Sequence, residues 1–158
     1  MGYNAIDILN KCIYIENDKK AMFKDFMEDK NISLKLKVIV KVLIKDIDRI
    51  IDYYNQLKNE IQECELEEID FRTYDKISFL INEYNIKMHS MDLDNISAND
   101  YLKVFVELAK DKYSLFIDLQ GRFYNNAKNS QSKTYEILSK MIEYTKLIFQ
   151  ILKQIQHV

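Results

Sequence analysis

Apolar side chains recur every three or four residues along four long stretches of the chain, a spacing typical of helices with one buried face. These stretches cover about residues 3–30, 34–63, 100–126 and 133–158. A fifth stretch with the same spacing, about 71–88, separates the second from the third. The sequence therefore predicts long amphipathic helices.

The connections between these stretches predict how the helices are arranged. Short polar breaks at 31–33 and 125–132 join the first helix to the second and the third to the fourth, so each pair is expected to form an antiparallel hairpin. The segment 60–99 then forms a crossover between the hairpins. Ser33 and Ser97 are suited to cap the helices that follow them.

We predict an all-α fold, a ferritin-like four-helix bundle made of two helical hairpins joined by a long, partly helical crossover. The chain has no proline and only two glycines, so it lacks the residues on which β-turns most depend. A length of 158 residues suits a single domain, 1–158. An up-down bundle of four or five helices is the alternative, because periodicity does not determine how helices cross.

Charge and composition exclude several classes of partner. The net charge of −2 is spread as mixed charges without a basic stripe, which excludes a nucleic-acid partner. Charged residues interrupt every apolar run before it could cross a membrane, and the N-terminus lacks the pattern of a signal peptide. Cys12 and Cys64 are far apart and are expected to be reduced thiols of a cytoplasmic protein.

Residues 60–70 include six acidic side chains. They could form a cation-attracting surface or a solvated connector between helices. Runs of like charge are more often solvated, so the connector is the favoured interpretation.

Glu16 lies on the apolar stripe of the first helix, between Ile13 and Phe23. A carboxylate on such a stripe is costly to bury without a partner. Three interpretations stay open: a metal ligand, a member of a buried polar pair, or a side chain at the solvent edge. The last two are favoured because charges are seldom fully buried.

The spacing of Glu16 and Phe23, with apolar residues after it, resembles a pattern in rubrerythrin-like proteins of the ferritin-like superfamily. The resemblance covers both hairpins, residues 13–57 and 104–152. In that family the first helix of each half carries a Glu followed by an aromatic, and the second carries Glu-x-x-His. The resemblance implies two halves that would bind a di-iron centre acting on peroxide or oxygen.

Most positions that correspond to family ligands hold other residues. Aligning the apolar positions of each hairpin gives the former ligand positions Glu16, Ile47, Ile50, Val106, Ile142 and Thr145. A register shifted by one residue places other residues at five of these positions: Asp46, Arg49, Glu107, Glu143 and Lys146. Burying Val106 and Ile142 gains about 1.5–3 kcal/mol each, whereas burying unpaired carboxylates costs more. The apolar register therefore predicts that ordinary core has replaced the metal centre.

The two histidines do not complete a ligand set. His89 and His157 have Ile86 and Gln154 three residues before them, where the family pattern requires Glu. We expect both to lie on the surface or in loops.

The sequence therefore predicts a non-catalytic ferritin-like bundle without a cofactor, acting as a homodimer or through an unknown protein partner, with no membrane partner. Candidate interface anchors among the tyrosines, which could equally pack at the core edge, are Tyr53, Tyr54, Tyr113, Tyr124 and Tyr144. The alternative is a divergent di-iron oxidoreductase whose ligands would be Glu16, Asp46, Glu107 and Glu143.

Overall fold

The computed structural model describes residues 2–29, 31–123 and 132–156, and in these ranges all regular secondary structure is helical. The helices are α1 (Ala5–Met27), α2 (Leu34–Ile61), α3 (Phe71–His89), α4 (Ala98–Gly121) and α5 (Lys133–Gln156). An isolated antiparallel bridge joins Tyr3 to Ile69. The predicted all-α class is confirmed, and no helix of the described part is long and apolar enough to cross a membrane.

Side-chain caps determine where four of the helices begin. Asn4 forms a capping box with Asp7 at the start of α1. Asp70 accepts a hydrogen bond from a backbone N–H in the first turn of α3. Ser33 and Ser97 cap α2 and α4, as predicted.

The observed ends differ slightly from the predicted ones. The first predicted helix extends over about 3–30, whereas α1 covers Ala5–Met27, with Asn4 capping its start and Glu28 its end. The third was predicted over about 100–126, whereas α4 ends at Gly121. The predicted continuation at 124–126 and most of the turn at 125–132 fall outside the described residues.

The helices pack mainly as two hairpins, α1 with α2 and α4 with α5. Helix α3 follows α1 in the same direction, since Tyr74 stacks on Tyr3 near one end and His89 binds Asp18 further along. It also contacts α4. The chain between the hairpins is thus largely a helix of 19 residues packed against both halves.

The apolar core has two parts. One is built around Tyr54, Phe116 and Leu119, and the other around Phe23, Tyr101 and other large apolar side chains. Phe23 contacts the rings of Tyr101 and Phe105 on α4, so aromatic side chains join α1 to α4. A group of buried charged residues lies where the two parts of the core meet.

Candidate functional site

The former ligand positions are all buried. Their side chains expose less than a tenth of their surface at Glu16, Ile47, Ile50, Val106, Ile142 and Thr145. Thr145 donates its hydroxyl hydrogen to the carbonyl oxygen of Met141 one turn earlier, at 2.7 Å. By contrast, Glu107 and Glu143 are exposed. The former ligand positions thus face inward and Glu107 and Glu143 face outward, as the apolar register predicts.

Glu16 is held at the centre of the bundle by two lysines. Its Oε1 accepts hydrogen bonds from Lys112 Nζ at 2.9 Å and from Lys19 Nζ at 3.3 Å. All three side chains are buried, with Glu16 only 1% exposed. We call Glu16, Lys19 and Lys112 the buried triad. Of the three interpretations of Glu16, the structure shows the member of a buried polar group, and the interpretation that Glu16 lies at the solvent edge is wrong.

The triad is electrostatically asymmetric. Burial alone raises the pKa of the Glu16 carboxyl, but the ammonium groups of Lys112 and Lys19 outweigh burial and lower the pKa below its ordinary value of 4.5. With both amines protonated, the triad carries one more positive than negative charge. Glu16 Oε2 has no hydrogen-bond partner among the described residues.

Polar groups near the triad stay protonated at neutral pH. Burial, with a smaller contribution from Glu16, raises the pKa of Cys12 to about 12. Burial likewise raises the pKa of Tyr84 and of Tyr54 well above the ordinary tyrosine value. Lys19 Nζ lies 5.3 Å from the centre of the Tyr84 ring, so a cation–π contact adds to its stabilisation. This environment provides neither a thiolate nor a phenolate as nucleophile.

Asp46 reaches the same interior from α2. It lines a cavity of about 10 Å³ together with Glu16, Lys19 and Lys112, a space on the scale of one water molecule. Burial raises the pKa of the Asp46 carboxyl, although Arg49 opposes the shift through a 2.9 Å ion pair. Of the four alternative ligands, the structure thus brings Glu16 and Asp46 together.

The four alternative di-iron ligands do not converge on one point in the structure. Glu107 and Glu143 are exposed, and Glu16 is bonded to two ammonium groups, which would repel a metal cation. Within residues 2–29, 31–123 and 132–156, no three His, Cys, Asp or Glu side chains form a group that could hold a metal ion. His89 instead binds Asp18, and His157 lies outside the described residues.

Neither lysine of the triad was among the predicted site residues, although the sequence carried a signal for Lys112. It lies on the apolar stripe of α4 at helical spacing from Ala109 and Phe116, both of which are buried. A lysine on an apolar stripe is the same signal that drew attention to Glu16. This signal marks each residue as a candidate for burial, but it does not show that the two meet, because they lie on different helices.

A second feature is a pair of exposed apolar stripes, one on α2 and one on α5. Six exposed aliphatic side chains repeat at four-residue spacing on the two helices: Leu34, Val38 and Val42 on α2, and Leu147, Ile151 and Ile155 on α5. We call the two stripes together the α2–α5 face. Leu147 also lines an open groove of about 520 Å³, and the other lining residues are Tyr53, Ser139, Lys140, Glu143 and Tyr144.

The two helices meet along this groove in antiparallel fashion. Tyr53 stacks on Tyr144 with ring centres 4.3 Å apart, and Lys140 pairs with Glu60 further along. The other predicted anchors differ in environment. Tyr54 is fully buried and cannot anchor a partner, Tyr113 is half-buried, and Tyr124 lies outside the described residues.

The acidic stretch 60–70 serves local structure. Most of its side chains are exposed, as expected for a connector. Glu60 pairs with Lys140, and Glu67 accepts a hydrogen bond from the backbone N–H of Lys133 at the start of α5. Asp70 accepts one from Thr73, and this bond lowers the pKa of its carboxyl.

Comparison of the chain with protein-family models, curated proteins and solved structures finds no match. The buried triad and the α2–α5 face are therefore the features from which a function can be inferred.

Proposed function

We propose that this chain is a non-catalytic, ferritin-like helical bundle that acts by binding a protein through the α2–α5 face. In this proposal the buried triad occupies the position at which a rubrerythrin-like protein would hold its di-iron centre. The single observation that carries the non-catalytic role is the pair of lysine ammonium groups bonded to Glu16, at 2.9 and 3.3 Å. They neutralise a carboxylate at the centre of the bundle, as bound metal would in an iron protein.

The order and direction of the helices support a ferritin-like topology. The two hairpins are separated by α3, which runs parallel to α1. A long connection of this kind lets α4 begin at the end of the bundle where α1 finishes, as in ferritin-like bundles.

The chemistry of the interior supports a role without catalysis. Cys12 and Tyr84 keep their protons at neutral pH, and both lysines of the triad are engaged by Glu16. The cavity beside the triad, about 10 Å³, admits no substrate larger than water.

The α2–α5 face supports a role in binding. Single exposed aliphatic residues are common, but six of them at regular spacing beside an apolar groove mark an interaction surface. Either a second copy of the chain or another protein could cover it. Two free cysteines are compatible with the cytoplasm, where we place the protein.

Iron loading followed by metal analysis tests the non-catalytic part of this proposal. The purified chain is incubated anaerobically with Fe²⁺, desalted and analysed for iron. We expect no stoichiometric iron, in the original chain and in Glu16→Ala alike. About two iron atoms per chain that are lost in Glu16→Ala, but kept in the exposed control Glu107→Ala, would overturn it.

A further inference from the structure

We infer that the partner of the α2–α5 face is an amphipathic α-helix of another protein, with acidic residues flanking its apolar stripe. This inference rests on the proposed protein-binding function and names the chemistry of the partner. It is carried by the shape of the face and by the charge around it.

The shape of the face suits a helix. Because α2 and α5 are antiparallel, the contact of Tyr53 with Tyr144 brings Val42 to the same end as Ile151 and Ile155. The groove at the seam is open and mostly apolar along its length. A helix laid along such a seam places residues at every third or fourth position against the aliphatic stripes on both sides.

Lysines predominate beside the aliphatic stripes, whereas the groove is lined by one lysine and one glutamate, Lys140 and Glu143. Residues 34–45 contain four lysines and no acidic residue, and residues 144–156 contain two lysines and no acidic residue. Lys35, Lys41 and Lys45 are exposed and form no ion pair with any described residue. Acidic residues beside the apolar stripe of a bound helix would meet these ammonium groups, which favours association and selects among partners.

Charge and shape disfavour two other occupants of the face, a second copy of the chain and a lipid surface. A two-fold contact centred on residues 34–45 would place lysines against their own copies, and like charges across an interface are costly. A flat lipid surface could contact the exposed stripes but would leave the rings of Tyr53 and Tyr144 in the groove uncovered. A helix fills the groove and reaches the lysines at once.

A phage-displayed library of helical peptides tests the inference. Each peptide has about 18 residues, with a fixed leucine stripe and random residues on both flanks. Selection on the full chain is expected to enrich Asp and Glu on the flanks. The double variant Val42→Glu with Ile151→Glu is expected to weaken the selected peptides by at least about tenfold.

One control tests whether the loss of binding is specific to the α2–α5 face. The other tests whether the lysines, rather than the apolar contact, select the acidic flanks. Phe79→Glu with Ile86→Glu changes two exposed apolar residues of α3 and is expected to leave binding unchanged. Reversing Lys35, Lys41 and Lys45 to Glu is expected to shift the selected flanks from acidic to basic. Circular dichroism verifies that each variant retains its helices.

The contrary outcomes are distinct. Peptides that bind the face without acidic preference overturn this inference and leave the proposed protein-binding function intact. Failure of any peptide to bind the face overturns both. Two results identify a different occupant and also overturn the inference: a dimer in sedimentation that Val42→Glu with Ile151→Glu dissociates, or binding to phosphatidylserine vesicles, lost in the same variant, without peptide binding.

Discussion

Lys112 on α4 donates a hydrogen bond to Glu16 on α1, with Nζ 2.9 Å from Oε1, and both side chains are buried. The two residues are 96 positions apart in the sequence. Because Lys19 bonds to the same oxygen from within α1, one carboxylate oxygen serves two ammonium groups from different helices. The centre of the bundle is thus held by charge as well as by apolar packing.

Removing the negative charge of the triad should be severely destabilising. In Glu16→Gln two ammonium groups stay buried without a carboxylate, and we expect a loss of about 3–5 kcal/mol in the free energy of unfolding. Urea denaturation followed by circular dichroism measures it. The exposed Glu107→Gln should change stability by less than about 0.5 kcal/mol. A loss in Glu16→Gln as small as in this control would contradict the importance of the ion pairs.

Replacing the whole triad with apolar residues should be far less harmful than breaking it. In the triple variant Glu16→Met, Lys19→Met and Lys112→Met, no charge is left in the core and each side chain keeps a comparable length. Apolar replacement of buried ion networks is often neutral or stabilising by about 1–4 kcal/mol. The same urea measurement compares the triple variant with Glu16→Gln. Equal losses in both would show that the triad itself holds the fold together.

The lowered pKa of Glu16 gives stability a specific pH dependence. A carboxyl whose pKa is lower in the folded state stabilises the fold above its unfolded pKa, and this contribution is lost as pH falls through the folded pKa. The stability difference between the original chain and Glu16→Gln should therefore be constant above the ordinary value of 4.5 and shrink below it.

Unfolding curves from about pH 7 to about pH 3 measure this difference, and the contributions of other carboxyls largely cancel in it. Asp46, whose pKa is raised by burial, acts with the opposite sign and favours the fold as pH falls. Asp46→Asn is therefore the matched variant. A difference for Glu16→Gln that grows on acidification would contradict the assigned direction of the pKa.

The two cysteines should differ sharply in reactivity. Cys64 is exposed, whereas Cys12 is buried and its pKa is raised to about 12. Since the thiolate is the reactive form, a thiol reagent near pH 8 should modify Cys64 rapidly in the native protein and Cys12 only after unfolding. Mass spectrometry of timed samples distinguishes the sites, with Cys64→Ser as the control. Equally fast modification of Cys12 would show that the interior opens readily.

The helices and the side-chain directions could be predicted from sequence because both follow from local spacing. The three-and-four spacing of apolar residues located every helix, and Ser33 and Ser97 marked two of their starts. The same spacing placed Val106 and Ile142 inward and Glu107 and Glu143 outward. Hydrophobic burial acts at each position separately, so a pattern within one helix is enough.

The buried triad could not be derived in the same way because it depends on which helices face each other. Lysines usually bury only the aliphatic stem of the side chain and keep the charged end in water, so Lys112 had no evident partner in its own helix. Its partner lies on α1, and helical periodicity carries no information on distances between helices. The end of α4 was predicted too late because buried Phe123 continues the apolar spacing, although Arg122 caps the helix after Gly121.

The position of Lys112 has a consequence for how the chain folds. The α1–α2 hairpin can form from contacts between neighbours in sequence, and within it Glu16 has only Lys19 as a cationic partner. Lys112 leaves water only when α4 docks, and it then gives up its hydration for a carboxylate that is already positioned. Docking of the second hairpin and full burial of Glu16 in the first therefore occur together. We expect neither hairpin to persist as a stable intermediate without the other.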